Sequence, residues 1–288
     1  MRLSRRQALT GWWLVMPLLL GCLVFYVAPF CLVIWFSGVK GNGYTQAFAG
    51  VEHYTRLFEN DIFKMALGNT GVFLALGIGL NLLLAYGMAL LLKKRILGRR
   101  LLQSVVMLPY VMPVLGTVLM ADIVFTETGL LNVFLQWLGL PVANWLQGET
   151  AFFTMLILYL WKNTGYSVIL LLSGLSTIPG EQYDAAELDG ASPKQKFRHI
   201  TAPQMWYSVF FAGVFALVNA FKCFREILLI GGNHPHYSIY MLQHFINNSF
   251  QKMNYSKMAG ASMVLVVLLG ILFGICYRLV LRKEAYKE

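Results

Sequence analysis

The side chains of this sequence that could act chemically are concentrated in one short segment, Glu181–Pro203. Four acids precede Gly190 and four basic side chains follow it: Glu181, Asp184, Glu187 and Asp189, then Lys194, Lys196, Arg198 and His199. Acids suit the opening turns of a helix because the helix dipole is positive there, and glycine commonly ends a helix. The pattern predicts a short acidic helix, a turn at Gly190 and a short basic helix. Such a unit could dock on a partner protein through charge, whereas the simpler interpretation is a solvated linker.

A second group of charged side chains lies inside apolar stretches, where a charge is costly unless it is paired or hydrated. Lys162 lies in one such stretch, and Lys222, Arg225 and Glu226 lie in a later one. Two interpretations stay open for the later group. Either Arg225 or Lys222 pairs with Glu226 or extends to the membrane surface, or these charges line a water-filled path. For Lys162 the choice is between such a path and a buried ion pair.

Aromatic and amide side chains surround the same charges in the sequence. A sugar presents apolar C–H faces ringed by hydroxyl groups, so aromatic rings and hydrogen-bonding side chains can bind it. Six side chains are candidate sugar contacts, and each could instead serve helix packing: Tyr159, Trp161, Asn163, Tyr166, Asn219 and Phe221. The substrate path that we predict consists of Lys162, Asn163, Tyr166, Asn219, Lys222 and Arg225.

Sequence signatures of an enzyme are absent. The chain contains no G-x-x-x-x-G-K-[ST] phosphate loop, no G-x-S-x-G nucleophile turn and no H-E-x-x-H zinc pair. Three histidines, His234, His236 and His244, are close in sequence, but a metal site needs a further ligand and fixed geometry. We expect no catalytic residue and no metal, and we expect solvated or capping roles for the histidines. Any ATP would be bound by another subunit.

The composition is that of a polytopic membrane protein. Of 288 residues, 58% are hydrophobic and only 12% are charged, against about 25% charged in soluble domains. At about 20 apolar residues per span, the chain has room for six helices and little else. The net charge of +10 suggests positive cytoplasmic loops rather than a nucleic-acid partner.

Hydropathy predicts one transmembrane domain, 1–288, with six spans at about 12–36, 66–92, 102–125, 151–172, 205–230 and 258–281. Pro17 and Pro29 are expected to kink the first span. A membrane helix tolerates such kinks when neighbouring groups hydrogen-bond to the freed carbonyls. Asn69 and Asn81 are expected to hydrogen-bond between helices rather than bind a ligand.

The distribution of Lys and Arg predicts the orientation. With both termini inside, 15 of these residues lie in inner segments and 5 in outer segments. Cytoplasmic loops carry the excess of positive charge. The loop 179–203, which we call the charged segment, is therefore expected on the cytoplasmic side.

Seven residues of the charged segment occur at defined spacings: Asp184, Ala185, Ala186, Gly190, Ile200, Ala202 and Pro203. This spacing resembles the EAA motif of ABC-importer permeases, which reads Glu-Ala-Ala, three residues, Gly, nine residues, Ile, one residue, Leu-Pro. Asp184 is one methylene shorter than the Glu of the motif, and Ala202 replaces its Leu. The flanking run from Tyr183 to Ser192 resembles the form found in carbohydrate importers.

The resemblance implies an all-α membrane protein with six transmembrane helices, the type I ABC-importer transmembrane domain. The implied partners are a second homologous permease subunit, two ATPase subunits and an extracytoplasmic solute-binding protein, in a bacterial plasma (inner) membrane. This chain would be a transport subunit, not an enzyme, and would bind no cofactor, because ATP and Mg²⁺ would bind to the ATPase subunits. Coupling to the ATPase would involve Asp184, Ala185, Ala186, Gly190, Ile200 and Pro203.

The implied function is a path, formed with the second permease, for a sugar or oligosaccharide delivered by the solute-binding protein. Importers of the same fold for glycerol phosphate, a polyamine or an acidic sugar are alternatives, and cations in the path would suit an anionic solute. A stand-alone secondary transporter, with the charged segment as a linker, is an alternative of another class. The lack of a recognisable inverted repeat in the sequence disfavours it.

Overall fold

The computed structural model describes residues 5–40, 47, 48, 50, 52–94 and 97–284. Six helical segments are long and apolar enough to cross a membrane: Thr10–Ser37, Asp61–Lys93, Val114–Trp137, Ala151–Ser176, Trp206–Gly231 and Tyr255–Gly274. The predicted fold class, an all-α membrane protein with six transmembrane helices, is confirmed. The chain divides into a smaller unit, Met1–Lys64 with Phe245–Gly270, and a larger unit, Met65–His244 with Ile271–Glu288.

Fifteen α-helices and two short strands make up the regular structure of the described residues. In chain order they are α1 (Arg5–Cys22), α2 (Ala28–Ser37), β1 (Val39–Lys40), β2 (Ala47–Phe48), α3 (Glu52–Glu59), α4 (Asp61–Lys93), α5 (Arg99–Val111), α6 (Val114–Phe125), α7 (Leu130–Trp137), α8 (Ala151–Ser176), α9 (Gly180–Leu188), α10 (Pro193–Lys196), α11 (Ala202–Gln204), α12 (Trp206–Lys222), α13 (Phe224–Gly231), α14 (Leu242–Gln251) and α15 (Tyr255–Glu284).

The smaller unit begins with a helix that changes its winding ahead of a proline. A π-helical turn, Leu23–Val27, joins α1 to α2, and Pro29 lies in the first turn of α2. Proline has no N–H and its ring clashes with the carbonyl four residues earlier, so the hydrogen-bond ladder widens there. The antiparallel strands β1 and β2, with Val39 opposite Phe48, form a minor hairpin that the all-α prediction did not include.

Close contacts in the smaller unit hold α3 on α15. The His53 Nε2 atom lies 2.8 Å from the Ser256 carbonyl oxygen. A Cβ added to Gly260 would come within 2.8 Å of the same imidazole nitrogen, so only glycine lets the two helices approach this closely. The rings of Phe63 and Phe245 meet edge to face at 5.3 Å.

In the larger unit, α8 is the central helix and packs against both α5 and α12. A Cβ added to Gly165 of α8 would clash with the Val106 carbonyl of α5. On another side of α8, the Tyr159 hydroxyl donates a 2.8 Å hydrogen bond to the Ala216 carbonyl of α12. The glycine contact and the tyrosine contact therefore fix α8 between its two neighbours.

Hydrogen bonds from two asparagines of α4 hold that helix in the larger unit. The fully buried Asn81 accepts a 2.6 Å hydrogen bond from the Ser167 hydroxyl and lies 3.3 Å from the Thr164 hydroxyl, both on α8. The interhelical role predicted for Asn81 is confirmed. Asn69 instead donates to the carbonyls of Tyr237 and Tyr240, at 2.6 and 3.0 Å, in the segment that follows α13.

The structure breaks the helix predicted at 102–125. The helix α5 ends at Val111, Met112 and Pro113 have extended backbone conformations, and α6 starts at Val114. The break follows from Pro113, which disfavours the helical conformation of the residue before it. The third apolar segment of membrane-spanning length is consequently Val114–Trp137, which extends beyond the span predicted from hydropathy.

Candidate functional site

The charged segment folds as predicted into two short helices around Gly190. Gly190 has φ +77°, a left-handed conformation that favours glycine. Its N–H donates to the Glu187 carbonyl at 3.0 Å, and the Ala191 N–H donates to the Ala186 carbonyl at 2.8 Å. These two bonds form a Schellman motif, which closes the carboxyl end of α9 and turns the chain towards α10.

Two further contacts fix the angle between α9 and α10. Ser192 and Gln195 form a capping box at the start of α10, with the Ser192 N–H donating to Gln195 Oε1 at 2.7 Å. Across the turn, Lys196 Nζ lies 2.7 Å from Glu187 Oε2. The hydrogen bond and charge of Lys196 lower the pKa of the Glu187 carboxyl. The turn is therefore an ordered structural unit rather than a plain linker.

The inner side of the charged segment is bound to the long helices. The Tyr183 hydroxyl lies 2.9 Å from the Thr201 hydroxyl, and Lys93 Nζ, at the end of α4, lies 4.2 Å from the centre of the Tyr183 ring. Gln204 donates a 2.6 Å hydrogen bond to Gln182. These contacts make α9 part of the larger unit's framework.

Of the two residues expected to anchor the charged segment, Ile200 contacts a hydrophobic core and Pro203 acts on the backbone. Ile200 packs against a core formed by α4, α8 and α12, in which Val168, Leu171 and Met205 are fully buried. Pro203 is exposed in the first turn of α11. It follows a π-helical turn, Phe197–Thr201, as Pro29 does, so the two prolines have the same local effect on the helical ladder.

The outer side of α9 is exposed. Asp184 and Ala185 are exposed, Ala186 is half-buried, and Leu188 at the end of α9 is 91% exposed. A large apolar side chain at the tip of an ordered helix, beside carboxylates, suits insertion into a cleft of another protein. The predicted contact residues Asp184 and Ala185 therefore lie on a face that a partner can reach.

A separate cavity of about 230 Å³ lies in the larger unit, where two helices are interrupted. One interruption is Met112–Pro113, between α5 and α6, and the other is Cys223, between α12 and α13. Irregular backbone at membrane depth is tolerated where it lines a cavity. The cavity is lined by Tyr110, Met112, Pro113, Val114, Thr117, Met155, Leu158, Tyr159, Lys162, Asn163, Asn219, Lys222, Cys223, Arg225 and Glu226.

One wall of the cavity carries a buried ion pair. Lys162 Nζ lies 2.7 Å from Glu226 Oε1, and their side chains are 13% and 8% exposed. The interpretation in which Lys222 or Arg225 pairs with Glu226 is wrong, because Glu226 meets a cation of another helix. Arg225 precedes Glu226 directly on α13, and adjacent residues of a helix do not face each other. Of its two interpretations, Lys162 forms the buried ion pair, and it lies on the cavity wall.

Five of the six residues predicted for the substrate path line this cavity: Lys162, Asn163, Asn219, Lys222 and Arg225. The sixth, Tyr166, lies outside it and stacks on Tyr110 with ring centres 4.6 Å apart. Asn163 donates to the Tyr159 carbonyl at 2.9 Å. Helical spacing explains the grouping, because Tyr159, Lys162 and Asn163 share one face of α8.

Two of the three histidines, His236 and His244, make defined local contacts. His244 is fully buried, accepts a 3.2 Å hydrogen bond from the Met241 N–H and contacts the rings of Phe224 and Tyr240. Burial, with a smaller effect from the charge of His234, lowers the pKa of His244 to about 4. His236 Nδ1 lies 2.9 Å from the Ser238 hydroxyl and accepts from the Ser238 N–H at the start of a short 3₁₀ turn.

Comparison with known sequences identifies the family. The family described as "binding-protein-dependent transport system inner membrane component" matches residues 61–283. The chain belongs to this family. It is a multi-pass membrane permease, a subunit of a transport system. The matched range includes both the charged segment and the cavity.

Several characterised permeases are similar along most of their length. A trehalose/maltose transport system permease of Thermococcus litoralis is 30% identical over 81% of this chain and 81% of its own. An sn-glycerol-3-phosphate transport system permease of Pectobacterium atrosepticum is 28% identical over 95% of each chain. An arabinooligosaccharide transport system permease of Bacillus subtilis is 29% identical over 88% of this chain and 83% of its own.

Two solved structures share the fold of this permease. A chain from a bacterial ABC transporter that imports the acidic polysaccharide alginate has a TM-score of 0.83, with 20% identity over 96% of each chain. A chain from the alginate transporter bound to its periplasmic protein has a TM-score of 0.79, with 21% identity over 93% of each chain. At these identities the likeness establishes the ABC-importer transmembrane fold of the permease.

Some contacts of this permease were not found from its sequence. The partnership of Tyr183 with Thr201 was missed, although Tyr183 directly precedes the motif and Thr201 lies within it. Leu188 was missed as the exposed apolar tip, because a single Leu after an acidic run has no distinctive pattern. The partner of Glu226 was missed because Lys162 lies 64 positions away in the sequence, on another helix.

Proposed function

We propose that this permease forms, with a second homologous permease, the membrane path of an ATP-driven importer for a sugar or oligosaccharide. The ordered charged segment carries this proposal, because it presents a helix with exposed Asp184 and Leu188 and is bonded to the long helices through Tyr183 and Ile200. A displacement of α9 would therefore be transmitted to α4, α8 and α12. A linker would not need such bonds.

In the proposed mechanism, α9 inserts into a cleft of an ATPase subunit on the cytoplasmic side of a bacterial inner membrane. Asp184 would bond to the ATPase surface, and Ala185 and Ala186 would let the helix approach closely. Closure of two ATPase subunits around ATP would pull α9 and convert the path from inward-facing to outward-facing. Gly190 holds the turn that keeps α9 and α10 together, and both chain termini would lie in the cytoplasm.

The partners follow from the same proposal. An extracytoplasmic solute-binding protein would deliver the solute, which agrees with the description of the family as binding-protein-dependent. ATP and Mg²⁺ bind to the ATPase subunits and no cofactor binds to this chain. Membership of the family favours this assembly over a stand-alone transporter. The names of the relatives from Thermococcus litoralis and Bacillus subtilis support a saccharide as the solute.

A Leu188→Asp variant tests the docking role of α9. We expect the variant to remain in the membrane, because Leu188 contributes no buried contact, but to lose co-purification of the ATPase and ATP-dependent uptake. A matched control is Leu97→Asp, the same change at another exposed Leu, 100% exposed in the turn between α4 and α5. If Leu188→Asp retains the ATPase and transports at the wild-type rate, the docking assignment is wrong.

A further inference from the structure

The cavity carries more positive than negative charge. Its walls contain three cations, Lys162, Lys222 and Arg225, and one anion, Glu226. Lys162 and Glu226 neutralise each other across 2.7 Å. Among the described residues, neither Lys222 nor Arg225 lies in an ion pair, and both side chains are exposed. Two positive charges therefore lie on the cavity wall without a partner from the described part of this chain.

Lys222 and Arg225 line the cavity, where a bound anion could take the place of the water that hydrates them. A charge at membrane depth is costly unless water or a counter-charge accompanies it. Arg225 can bind a carboxylate or phosphate with two parallel hydrogen bonds, and Lys222 can add a point charge. Since both residues line the cavity, the counter-charge that suits them best is a group that enters it.

A second observation concerns Glu226 and points to hydroxyl groups. Glu226 is 6% exposed, and its Oε1 atom binds Lys162. Its Oε2 atom is buried and receives no hydrogen bond from the described residues. A buried acceptor that receives no hydrogen bond destabilises the structure. A hydroxyl donor from a ligand would satisfy this oxygen. The aromatic side chain of Tyr110, on the opposite helix α5, adds an apolar surface to the same cavity.

From these features we infer that the cavity binds a polyhydroxylated anion, whose carboxylate or phosphate is held by Lys222 and Arg225 and whose hydroxyl donates to Glu226. The inference rests on the proposed importer function and specifies its solute class. A polyamine is disfavoured because it would bring further positive charge to Lys222 and Arg225. A neutral sugar would leave both cations without a counter-charge.

The volume of the cavity limits how much of the solute this chain can contact. Its volume of about 230 Å³ is below the roughly 300–1,000 Å³ usual for a complete small-molecule pocket. This chain therefore supplies a site for one acidic unit of the solute, and the second permease would supply the remaining wall.

A cysteine-protection experiment on the purified complete importer tests the solute class. Met112, half-buried on the cavity wall, is replaced by Cys in a chain whose four cysteines, Cys22, Cys31, Cys223 and Cys276, are replaced by Ala. The rate of labelling by the uncharged reagent N-ethylmaleimide is measured with four probes. Cellobiouronate and cellobiose differ by one carboxylate, and sn-glycerol 3-phosphate and glycerol differ by one phosphate.

We expect the anionic probes to slow labelling about tenfold when present at roughly ten times their dissociation constant, and the neutral probes to leave the rate unchanged. Protection by cellobiouronate alone would assign a carboxylate, and protection by glycerol phosphate alone would assign a phosphate. Lys222→Gln combined with Arg225→Gln should abolish protection. The control Lys252→Gln, an exposed cation that does not line the cavity, should preserve it.

Equal protection by cellobiose and cellobiouronate, protection by no probe, or undiminished protection in the double variant would overturn the anion assignment. Acidic side chains of the second permease that neutralise Lys222 and Arg225 would give one of these results. A different result would contradict the proposed importer function: the purified complex would lack the ATPase and the second permease. A complex with those subunits but without charge-selective protection would keep the importer function and contradict only the anion assignment.

Discussion

Lys162 Nζ on α8 lies 2.7 Å from Glu226 Oε1 on α13, and both side chains are largely buried. Removing one member of a buried ion pair leaves the other charge uncompensated, which costs about 3–5 kcal/mol. We predict that Lys162→Gln and Glu226→Gln each lower the unfolding temperature of the purified complex strongly, and that the double variant recovers much of the loss. A double variant as unstable as the sum of the two single changes would show that the pair is not coupled.

The turn at Gly190 provides a second prediction. Gly190 has φ +77°, in the left-handed region. A residue with a side chain is destabilised in that region by about 1–2 kcal/mol. Gly190→Asp should therefore uncouple ATP-dependent uptake while the chain still reaches the membrane. The control Gly180→Asp introduces the same charge in the first turn of α9, where a Cβ meets nothing within 4 Å, and should transport normally. Wild-type uptake by Gly190→Asp would contradict the role of this turn.

The contact between α5 and α8 provides a third prediction. Because a Cβ at Gly165 would clash with the Val106 carbonyl, Gly165→Ala must push α5 away from α8. Overpacking costs about 1–3 kcal/mol or more, so the variant should unfold at a lower temperature. Gly87→Ala on α4, where a Cβ meets nothing within 4 Å, is the matched control. Equal unfolding temperatures for the two variants would disprove the tight helix contact.

The buried His244 predicts a pH dependence of stability. Its pKa of about 4 lies below the ordinary value near 6.5, so the unfolded chain binds a proton more readily between these values. The stabilisation from neutral His244 is complete above pH 6.5, falls as the pH drops, and is lost below pH 4. The total loss is about 3 kcal/mol.

A conservative variant isolates this effect. His244→Asn keeps an acceptor near the Met241 N–H but cannot become charged, so its unfolding temperature should fall less than that of the wild type between pH 7 and pH 4.5. His199→Asn changes an exposed histidine and should retain the wild-type pH dependence. If His244→Asn and the wild type lose the same stability on acidification, His244 is not the titrating group.

Much of this structure could be predicted because membrane helices and turns depend on local sequence. Length and hydropathy were sufficient for six spans, and the acids, Gly190 and the basic run were sufficient for the two short helices. Asn219, Lys222 and Arg225 recur at intervals of three residues, so helical spacing alone predicts that they lie on one side of their segment. These features need no knowledge of long-range contacts.

The remaining features depend on tertiary structure. Glu226 meets Lys162, 64 positions away on α8, and no local pattern marks that pairing. Tyr166 faces Tyr110 instead of the cavity because packing of α5 on α8 decides its direction. The bond between Tyr183 and Thr201 joins residues 18 positions apart, and only the fold brings them together.

The most direct test of the importer assignment is purification of this chain from its native membrane in a mild detergent, with quantitative mass spectrometry of the proteins that accompany it. We predict one second permease and two copies of an ATPase per chain, with a solute-binding protein recovered when transport is arrested. Recovery of the chain alone, or only with copies of itself, would contradict the assignment of the charged segment to ATPase coupling.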